Sequence, residues 1–256
     1  MKNVYYLFLL TLLSCSEAES QVNKNYTFIF SDISRSVYSD QNVKEKNTNA
    51  LLSLLQKHVV NSGDIVSVSY IHGATAQKGN LFEFEFLPQT YTSKGQSNLK
   101  ERQARSELEL LNRKYKSEFA TSIRNKCFGV EKEHDVTSVF GAFRVLSDQL
   151  REIDAENNNA YFFTDLKQCD KVMRRLFCEN GEKISTYDEA LRLAKEDLPK
   201  LLKHYHLDEK CLSTLDEVVV VLPSNPLVQA DIAYETLPVY FKYLFECMGV
   251  NKVTFK

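Results

Sequence analysis

The chain lacks the features that mark several common classes of protein. Its 256 residues carry a formal net charge of −2, and without a basic excess there is no reason to expect a nucleic-acid partner. No Gly- or Pro-rich linker divides the chain, and no internal repeat is evident. Beyond the N-terminus, no apolar stretch approaches the roughly 20 residues that a membrane-spanning helix needs. These absences favour one large globular domain.

Cysteine and histidine patterns typical of zinc sites are also missing. No two of the 6 cysteines lie two to four residues apart, as common structural zinc sites require. The sequence contains no His-Glu-x-x-His motif, and its 5 histidines are dispersed apart from His204 and His206. That pair suits a polar helix end better than a ligand set. Zinc is therefore not expected.

The N-terminus has the pattern of an export signal. Lys2 supplies a positive charge, and the apolar run that follows at residues 4–13 is too short to span a bilayer. The run leads into Leu-Leu-Ser-Cys, which resembles a bacterial lipoprotein signal and implies that Cys15 is lipidated. The alternative is an ordinary secretory signal cleaved near Ala18.

The lipoprotein resemblance implies a three-part organisation and a location. Residues 1–14 are expected to be the signal peptide, 15–24 a flexible polar tether, and 25–256 the folded domain. The protein would be held by lipid in the bacterial cell envelope. Ser16 follows the cysteine where lipoproteins retained in the inner membrane usually have Asp, which favours the outer membrane.

Hydrophobic patterning alternates between strand-like and helix-like segments along the domain. Residues 217–222 form a continuous apolar run typical of a buried strand, whereas 81–86 alternate strictly and predict an antiparallel edge strand. We predict an α/β fold: a three-layer, open, mostly parallel sheet of six strands, with one antiparallel edge strand and helices on both faces. The predicted strands are 25–30, 64–71, 81–86, 160–164, 217–222 and 252–255. The predicted helices are 42–60, 97–124, 137–153, 187–204 and 227–248. The charged helix 97–124 is expected to be a solvated surface helix, or alternatively a lid or partner surface.

Polar side chains directly follow two of the predicted strands. The first strand is followed by Asp-x-Ser-x-Ser and the central strand ends in Thr-Asp, while another threonine opens the helix between them. The C-terminal ends of parallel strands meet at one edge of a sheet, where ligands bind. Carboxylate and hydroxyl oxygens suit Mg²⁺ or Mn²⁺. The predicted metal ligands are Asp32, Ser34, Ser36, Thr137 and Asp165.

This constellation resembles the metal-ion-dependent adhesion site of von Willebrand factor type A domains, which has these three motifs in this order. The resemblance spans residues 25–256. It implies that the five side chains hold Mg²⁺ or Mn²⁺ directly or through water, and that a carboxylate of a protein partner completes the coordination. One departure is Leu166, which stands where the family usually has glycine after the third-motif aspartate.

Other interpretations of these residues remain open. The serines and threonine also suit helix caps, and Asp165 suits a turn. A structural subunit of an envelope assembly, in which the metal only stabilises the fold, is a second possibility. A haloacid-dehalogenase-type phosphatase also begins with Asp after a strand, but it needs a second Asp where this chain has Ser34. No nucleophile or general base is apparent beside the site, so we expect a binding protein and not an enzyme.

The cysteines after Cys15 predict disulfides only in part. Export permits bridges, but five cysteines leave one unpaired. Cys211 precedes one predicted strand and Cys247 ends the helix before another, so both should lie at the sheet edge opposite the metal. We predict a bridge between them. A second bridge is expected among Cys127, Cys169 and Cys178.

Overall fold

The computed structural model of the protein contains, among the residues that it describes, a six-stranded sheet. It describes residues 24–34, 37, 41–76, 81–91, 98–129, 136–168, 177, 184–223 and 233–256. The strands lie in the order β3-β2-β1-β4-β5-β6. Every neighbouring pair is parallel except β2 and β3, which are antiparallel. The predicted sheet, with its antiparallel edge strand, is confirmed. The strands are β1 (Asn25–Asp32), β2 (Ile65–Ile71), β3 (Leu81–Glu85), β4 (Asn157–Phe163), β5 (Glu217–Val221) and β6 (Val253–Phe255).

Helices cover both faces of the sheet, because successive residues of each strand point to opposite sides. Phe28 and Phe30 of β1 belong to one hydrophobic core, whereas Ile29 between them belongs to the other. The first core is closed by helices α3, α4 and α5, and the second by α1 and α2. The helices described in full are α1 (Gln41–His58), α2 (Asn98–Phe128), α3 (Val139–Glu152), α4 (Tyr187–Tyr205) and α5 (Ala233–Cys247).

Among the strands, the largest boundary difference is at β4, which begins three residues before the predicted strand. Asn157, Asn158 and Asn159 are poor strand formers, yet they pair with the start of β1. Several of their polar groups are paired there: the Asn157 amide donates to the Asn25 side chain at 3.1 Å. The backbone N–H of Asn158 donates to Asp216 at 2.8 Å. Tertiary hydrogen bonds therefore override the local preference of this segment.

The predicted bridge between Cys211 and Cys247 is wrong, because both are free thiols. The two segments do meet at the edge opposite the predicted metal site, where the Leu212 N–H donates to the Met248 carbonyl at 2.9 Å. The side chains point apart, however. The Cys211 sulfur approaches Ser147 on α3, and the Cys247 sulfur approaches a tyrosine of its own helix.

The structure describes only some of the residues on which the remaining cysteine and membrane predictions depend. Cys127 is a buried free thiol, and burial raises the pKa of that thiol well above its ordinary value. Cys15, Cys169 and Cys178 lie outside the described residues. No helix in the described part of the chain combines the length and apolar character that crossing a membrane requires.

Candidate functional site

The candidate site lies at the C-terminal edge of the two central strands, β1 and β4. These strands are parallel neighbours, with Ser31 in register with Phe163. Chain connections leave β1 towards β2 on one side, whereas β4 leads to β5 on the other. This reversal of strand order is a topological switch point, the place where open α/β sheets bind ligands. Asp32 ends β1, and Asp165 follows β4 by two residues.

Asp32 is a buried carboxylate, with only 2% of the residue exposed. Its Oδ1 accepts a hydrogen bond from the Ser34 N–H at 2.8 Å, which closes the turn after β1. The Ser34 hydroxyl also bonds this carboxylate. Its Oδ2 accepts from the Thr164 hydroxyl at 2.7 Å. Thr164 therefore links the ends of β1 and β4 directly.

Asp165 is also buried, at 7% exposure, and stands in a tight turn. Its Oδ1 accepts from the Lys167 N–H at 3.0 Å. The Leu166 N–H donates back to the Thr164 hydroxyl at 3.0 Å. Leu166 itself has φ of +62°, a left-handed conformation that glycine adopts without strain. The backbone thus takes a glycine-like turn here, while the leucine side chain is buried in the core.

The two carboxylates repel each other across this turn. The pKa of Asp32 is raised to about 7, first by burial and then by the neighbouring charge of Asp165. Hydrogen bonds from Thr164 and Ser34 offset only part of this effect. Two neighbouring buried acids cannot both ionise freely unless a positive charge lies near them. A cation is the group that would relieve this arrangement.

Thr137 is buried one residue before the N-cap of α3. The sequence placed Thr137 at the helix start, but Ser138 is the capping residue, and its hydroxyl accepts from the Gly141 N–H at 3.3 Å. Gly141 packs so closely on the loop after β2 that an added Cβ would lie 3.0 Å from Thr75 and from the backbone nitrogen of Ala76. The Thr137 segment is therefore held against the end of β2.

The C-terminal end of α2 lies beside the same sheet edge. The Ser31 hydroxyl donates to the Cys127 carbonyl at 2.8 Å, and the Tyr70 hydroxyl donates to the Lys126 carbonyl at 2.7 Å. These strand side chains satisfy carbonyl groups that the last turn of a helix leaves unpaired. The buried end of α2 thus supports the site, whereas the residues of its first half are mostly exposed.

The structure brings together three of the five predicted ligands: Asp32, Ser34 and Asp165. Thr137 is not among them; its segment is linked to the loop after β4 only through Gln168, whose Oε1 accepts from the Phe140 N–H of α3 at 3.1 Å. Ser36 lies outside the described residues.

Two residues of the site were not predicted as participants. Thr164 was recognised only as the strand end, although its place beside Asp165 could have suggested a role. Gln168 carries no sequence signal, since a glutamine in a loop is unremarkable by type or spacing.

The donor set fits a hard divalent cation. It consists of two carboxylates and several hydroxyls, all oxygen, which are the ligands of Mg²⁺ and Mn²⁺. Among the described residues, no three His, Cys, Asp or Glu side chains come together as a metal-holding group. Any cation at this edge would therefore depend on the serine and threonine hydroxyls as well as on Asp32 and Asp165.

Comparison with known proteins identifies no family. No protein-family model matches the chain, and no curated protein matches it. Among solved structures, it is similar to the PilB minor pilin from Streptococcus sanguinis, at 14% identity and a TM-score of 0.40, over 93% of this chain and 57% of the pilin. A mutant of that pilin has 13% identity and a TM-score of 0.43, and the match covers 94% of this chain and 58% of the mutant pilin. Proximal thread matrix protein 1 from the mussel byssus has 12% sequence identity to this chain and a TM-score of 0.33. That match covers 91% of this chain and 41% of the byssus protein. The chain thus spans 41% to 58% of the length of these proteins.

Proposed function

We propose that the domain binds Mg²⁺ or Mn²⁺ at the C-terminal edge of β1 and β4, and through that ion binds a carboxylate of a protein partner. The observation that carries this proposal is the pair of buried, mutually repelling acids, Asp32 and Asp165, at the switch point of the sheet. The resemblance to a metal-ion-dependent adhesion site supports the same conclusion.

The residues of this edge have different roles in the proposed binding. Asp32 and Asp165 would supply the negative charge, and Ser34, Ser36 and Thr137 would supply neutral hydroxyl ligands. A bound divalent ion supplies an exposed, incompletely neutralised positive charge that attracts an acidic group. Thr164 keeps the Asp32 carboxylate oriented through its 2.7 Å bond. In this proposal the carboxylates and hydroxyls of the set all serve as ligands of the ion, so the proposed activity is binding.

The position of the site in the fold suits a domain anchored at its N-terminus. The tether proposed for residues 15–24 enters at Asn25, at the opposite end of β1 from Asp32. β1 has 8 residues, and strands rise about 3.3 Å per residue. The site would therefore lie roughly 26 Å from the tether end and face away from a membrane. Lipidation of Cys15 and attachment to the outer membrane are part of the proposal.

A second candidate function is a structural subunit whose cation only stabilises the fold. It is favoured by the burial of both acids, because neutralising their repulsion would stabilise the domain even without a partner. The two candidates make different predictions. Both need metal binding, but only the first needs the ion for partner binding.

The proposal is tested by titrating Mg²⁺ and Mn²⁺ into EDTA-treated protein by calorimetry. We expect binding by the parent chain and none by Asp32→Ala, while circular dichroism stays unchanged. Asp208→Ala is the matched control, since its side chain is 79% exposed and pairs with Arg151 far from the site. Unaltered affinity in Asp32→Ala would refute the site.

Partner binding is tested with the immobilised domain and envelope extracts. Proteins retained in Mg²⁺ should be released by EDTA, and should be absent when the Asp32→Ala domain is used. A domain that binds Mg²⁺ and gains thermal stability from it, but retains the same proteins after EDTA, would instead support the structural subunit.

A further inference from the structure

One buried side chain joins the loop after β4 to the N-terminus of α3. Gln168 is fully buried, and its Oε1 accepts a hydrogen bond from the Phe140 N–H at 3.1 Å. The first N–H groups of a helix have no partner within the helix itself. Since only an oxygen can accept this bond, the orientation of the Gln168 amide is fixed.

This hydrogen bond connects two of the three motif segments. Gln168 lies three residues after Asp165, and Phe140 lies three residues after Thr137. The backbone of Gln168 is fixed as well, because its carbonyl accepts from the Phe177 N–H at 2.7 Å. A displacement of the β4 loop would therefore be transmitted through Gln168 to the segment that carries Thr137.

The other cap of α3 works differently. The bond from the Gly141 N–H to the Ser138 hydroxyl, at 3.3 Å, stays within the first turn of α3. It satisfies one more helix donor but does not touch the loop after β4. The two bonds are similar in kind, and only the one to Gln168 bridges the ligand segments.

We propose that Gln168 is a positioning residue of the cation site, which holds Thr137 at a fixed distance from Asp165. This inference rests on the proposed function. Side chains that orient ligands from outside the coordination sphere typically change metal affinity 10–100-fold when they are replaced. Loss of the Gln168 bond should therefore weaken binding although the ligands themselves remain.

The test compares Gln168→Met with Ser138→Ala. Methionine keeps the length of the side chain but removes the acceptor, whereas the alanine variant removes the local cap. We expect Gln168→Met to raise the Kd for Mg²⁺ by about 10–100-fold. It should also broaden the EPR spectrum of bound Mn²⁺ and speed hydrogen exchange of the Phe140 amide. Ser138→Ala should leave Kd and the EPR spectrum close to those of the parent. Gln168→Asn, which shortens the side chain, serves if the methionine variant does not fold.

The outcomes separate the two proposals. If the parent binds neither Mg²⁺ nor Mn²⁺, the proposed function itself is refuted. If the parent binds and Gln168→Met matches it in Kd and EPR spectrum, only the positioning role is refuted. Equal loss of affinity in Gln168→Met and Ser138→Ala would also refute it, because the effect would then follow general destabilisation of α3.

Discussion

Two buried aspartates stand at opposite edges of the same sheet, and their surroundings differ. Asp64 precedes β2 at the edge where the parallel strands begin, and Asp32 ends β1 at the edge where they finish. Both are almost completely buried. Asp64 is surrounded by hydrogen-bond donors, whereas Asp32 has another carboxylate beside it.

The carboxylate of Asp64 is saturated. Its Oδ1 accepts from the backbone and side-chain amides of Asn25, at 3.0 and 3.1 Å. Its Oδ2 accepts from the N–H groups of Val60 and Asn61, at 2.8 and 2.7 Å. Asp64 thereby joins the start of β1, the chain leaving α1 and the start of β2. A buried acid in this environment is part of the scaffold.

The charge of the Asp32 carboxylate, in contrast, is not balanced by the protein. Its hydrogen bonds fix its orientation, but burial and Asp165 raise its pKa to about 7. Perturbation by burial together with a like charge is typical of functional sites. Burial of an acid therefore does not by itself mark a functional site. What distinguishes the two acids is that neutral donors alone surround Asp64, whereas a second carboxylate lies near Asp32.

The largest effect is expected from Asp64→Ala. The substitution leaves the partly buried donors of Asn25, Val60 and Asn61 without this acceptor, and such a group costs about 1–3 kcal/mol when it is fully buried. We expect the free energy of unfolding to fall by about 3 kcal/mol, measured by urea denaturation. Asp208→Ala, at an exposed ion pair, should cost less than about 1 kcal/mol. A similarly small loss in Asp64→Ala would show that the four bonds do not stabilise the scaffold.

Asp32→Asn is expected to act in the opposite direction in metal-free protein. The folded state of the parent holds a proton on Asp32 up to about pH 7, whereas the unfolded chain releases it near pH 3.9. Between these values the folded state binds more protons, so the stability from this group falls as pH rises. Removing the charge at pH 8 is worth about 4 kcal/mol for this difference in pKa. The NH2 group of asparagine cannot accept the hydrogen bond that one Asp32 oxygen accepts, which costs about 1–3 kcal/mol. The net gain in stability of EDTA-treated protein at pH 8 should therefore be roughly 2 kcal/mol.

The measurement is thermal unfolding of both proteins from pH 4 to 8, with EDTA or with Mg²⁺. Other groups also titrate in this range: burial lowers the pKa of His58 to about 4, which makes stability rise with pH between about 4 and 6.5. The difference between parent and Asp32→Asn cancels that contribution. Mg²⁺ should stabilise the parent alone. A variant less stable than the parent in EDTA at pH 8 would contradict the repulsion between Asp32 and Asp165.

The fold was predictable from sequence because it depends on patterning. Apolar runs and helical spacing were enough to predict the six strands, the antiparallel edge and the helices on both faces. The exceptions depend on long-range contacts. The strand Asn157–Phe163 starts early because partners far away in sequence bond the Asn157 side chain and the Asn158 backbone. Cys211 and Cys247 fail to pair because side-chain direction is not encoded in the order of elements.

The positions of the two acids of the candidate site could be predicted from the sequence, but the residues around them could not. Asp32 and Asp165 were placed correctly because each follows a buried strand, and parallel strands end at one edge. Thr164 supports Asp32 through a hydrogen bond that only the folded chain reveals. The bond from the Phe140 N–H to Gln168 likewise appears only in the folded chain. The substitution of Leu166 for the usual glycine was visible, but its consequence was not. The turn keeps a positive φ, and the side chain is buried in the core.

Leu166→Gly tests how much backbone strain the left-handed residue stores beside the candidate site. A second variant, at the opposite edge of the sheet, gives the value for comparison. Glycine would relieve about 1–2 kcal/mol of left-handed strain but would remove a fully buried leucine, whose loss costs about 2–5 kcal/mol. We therefore expect a net loss of roughly 1–2 kcal/mol in urea denaturation, smaller than core leucine truncations usually give.

His206→Gly is the matched control for that measurement. His206 has φ of +53° and is the C-cap of α4, where its N–H donates to carbonyls of the last turn. Its side chain is exposed, so glycine removes strain without removing buried surface. We expect a gain of about 0.5–1 kcal/mol. A gain in both variants would mean that Leu166 contributes little to the core. A loss in both would mean that left-handed strain is negligible in this fold, and that the turn beside Asp165 stores none.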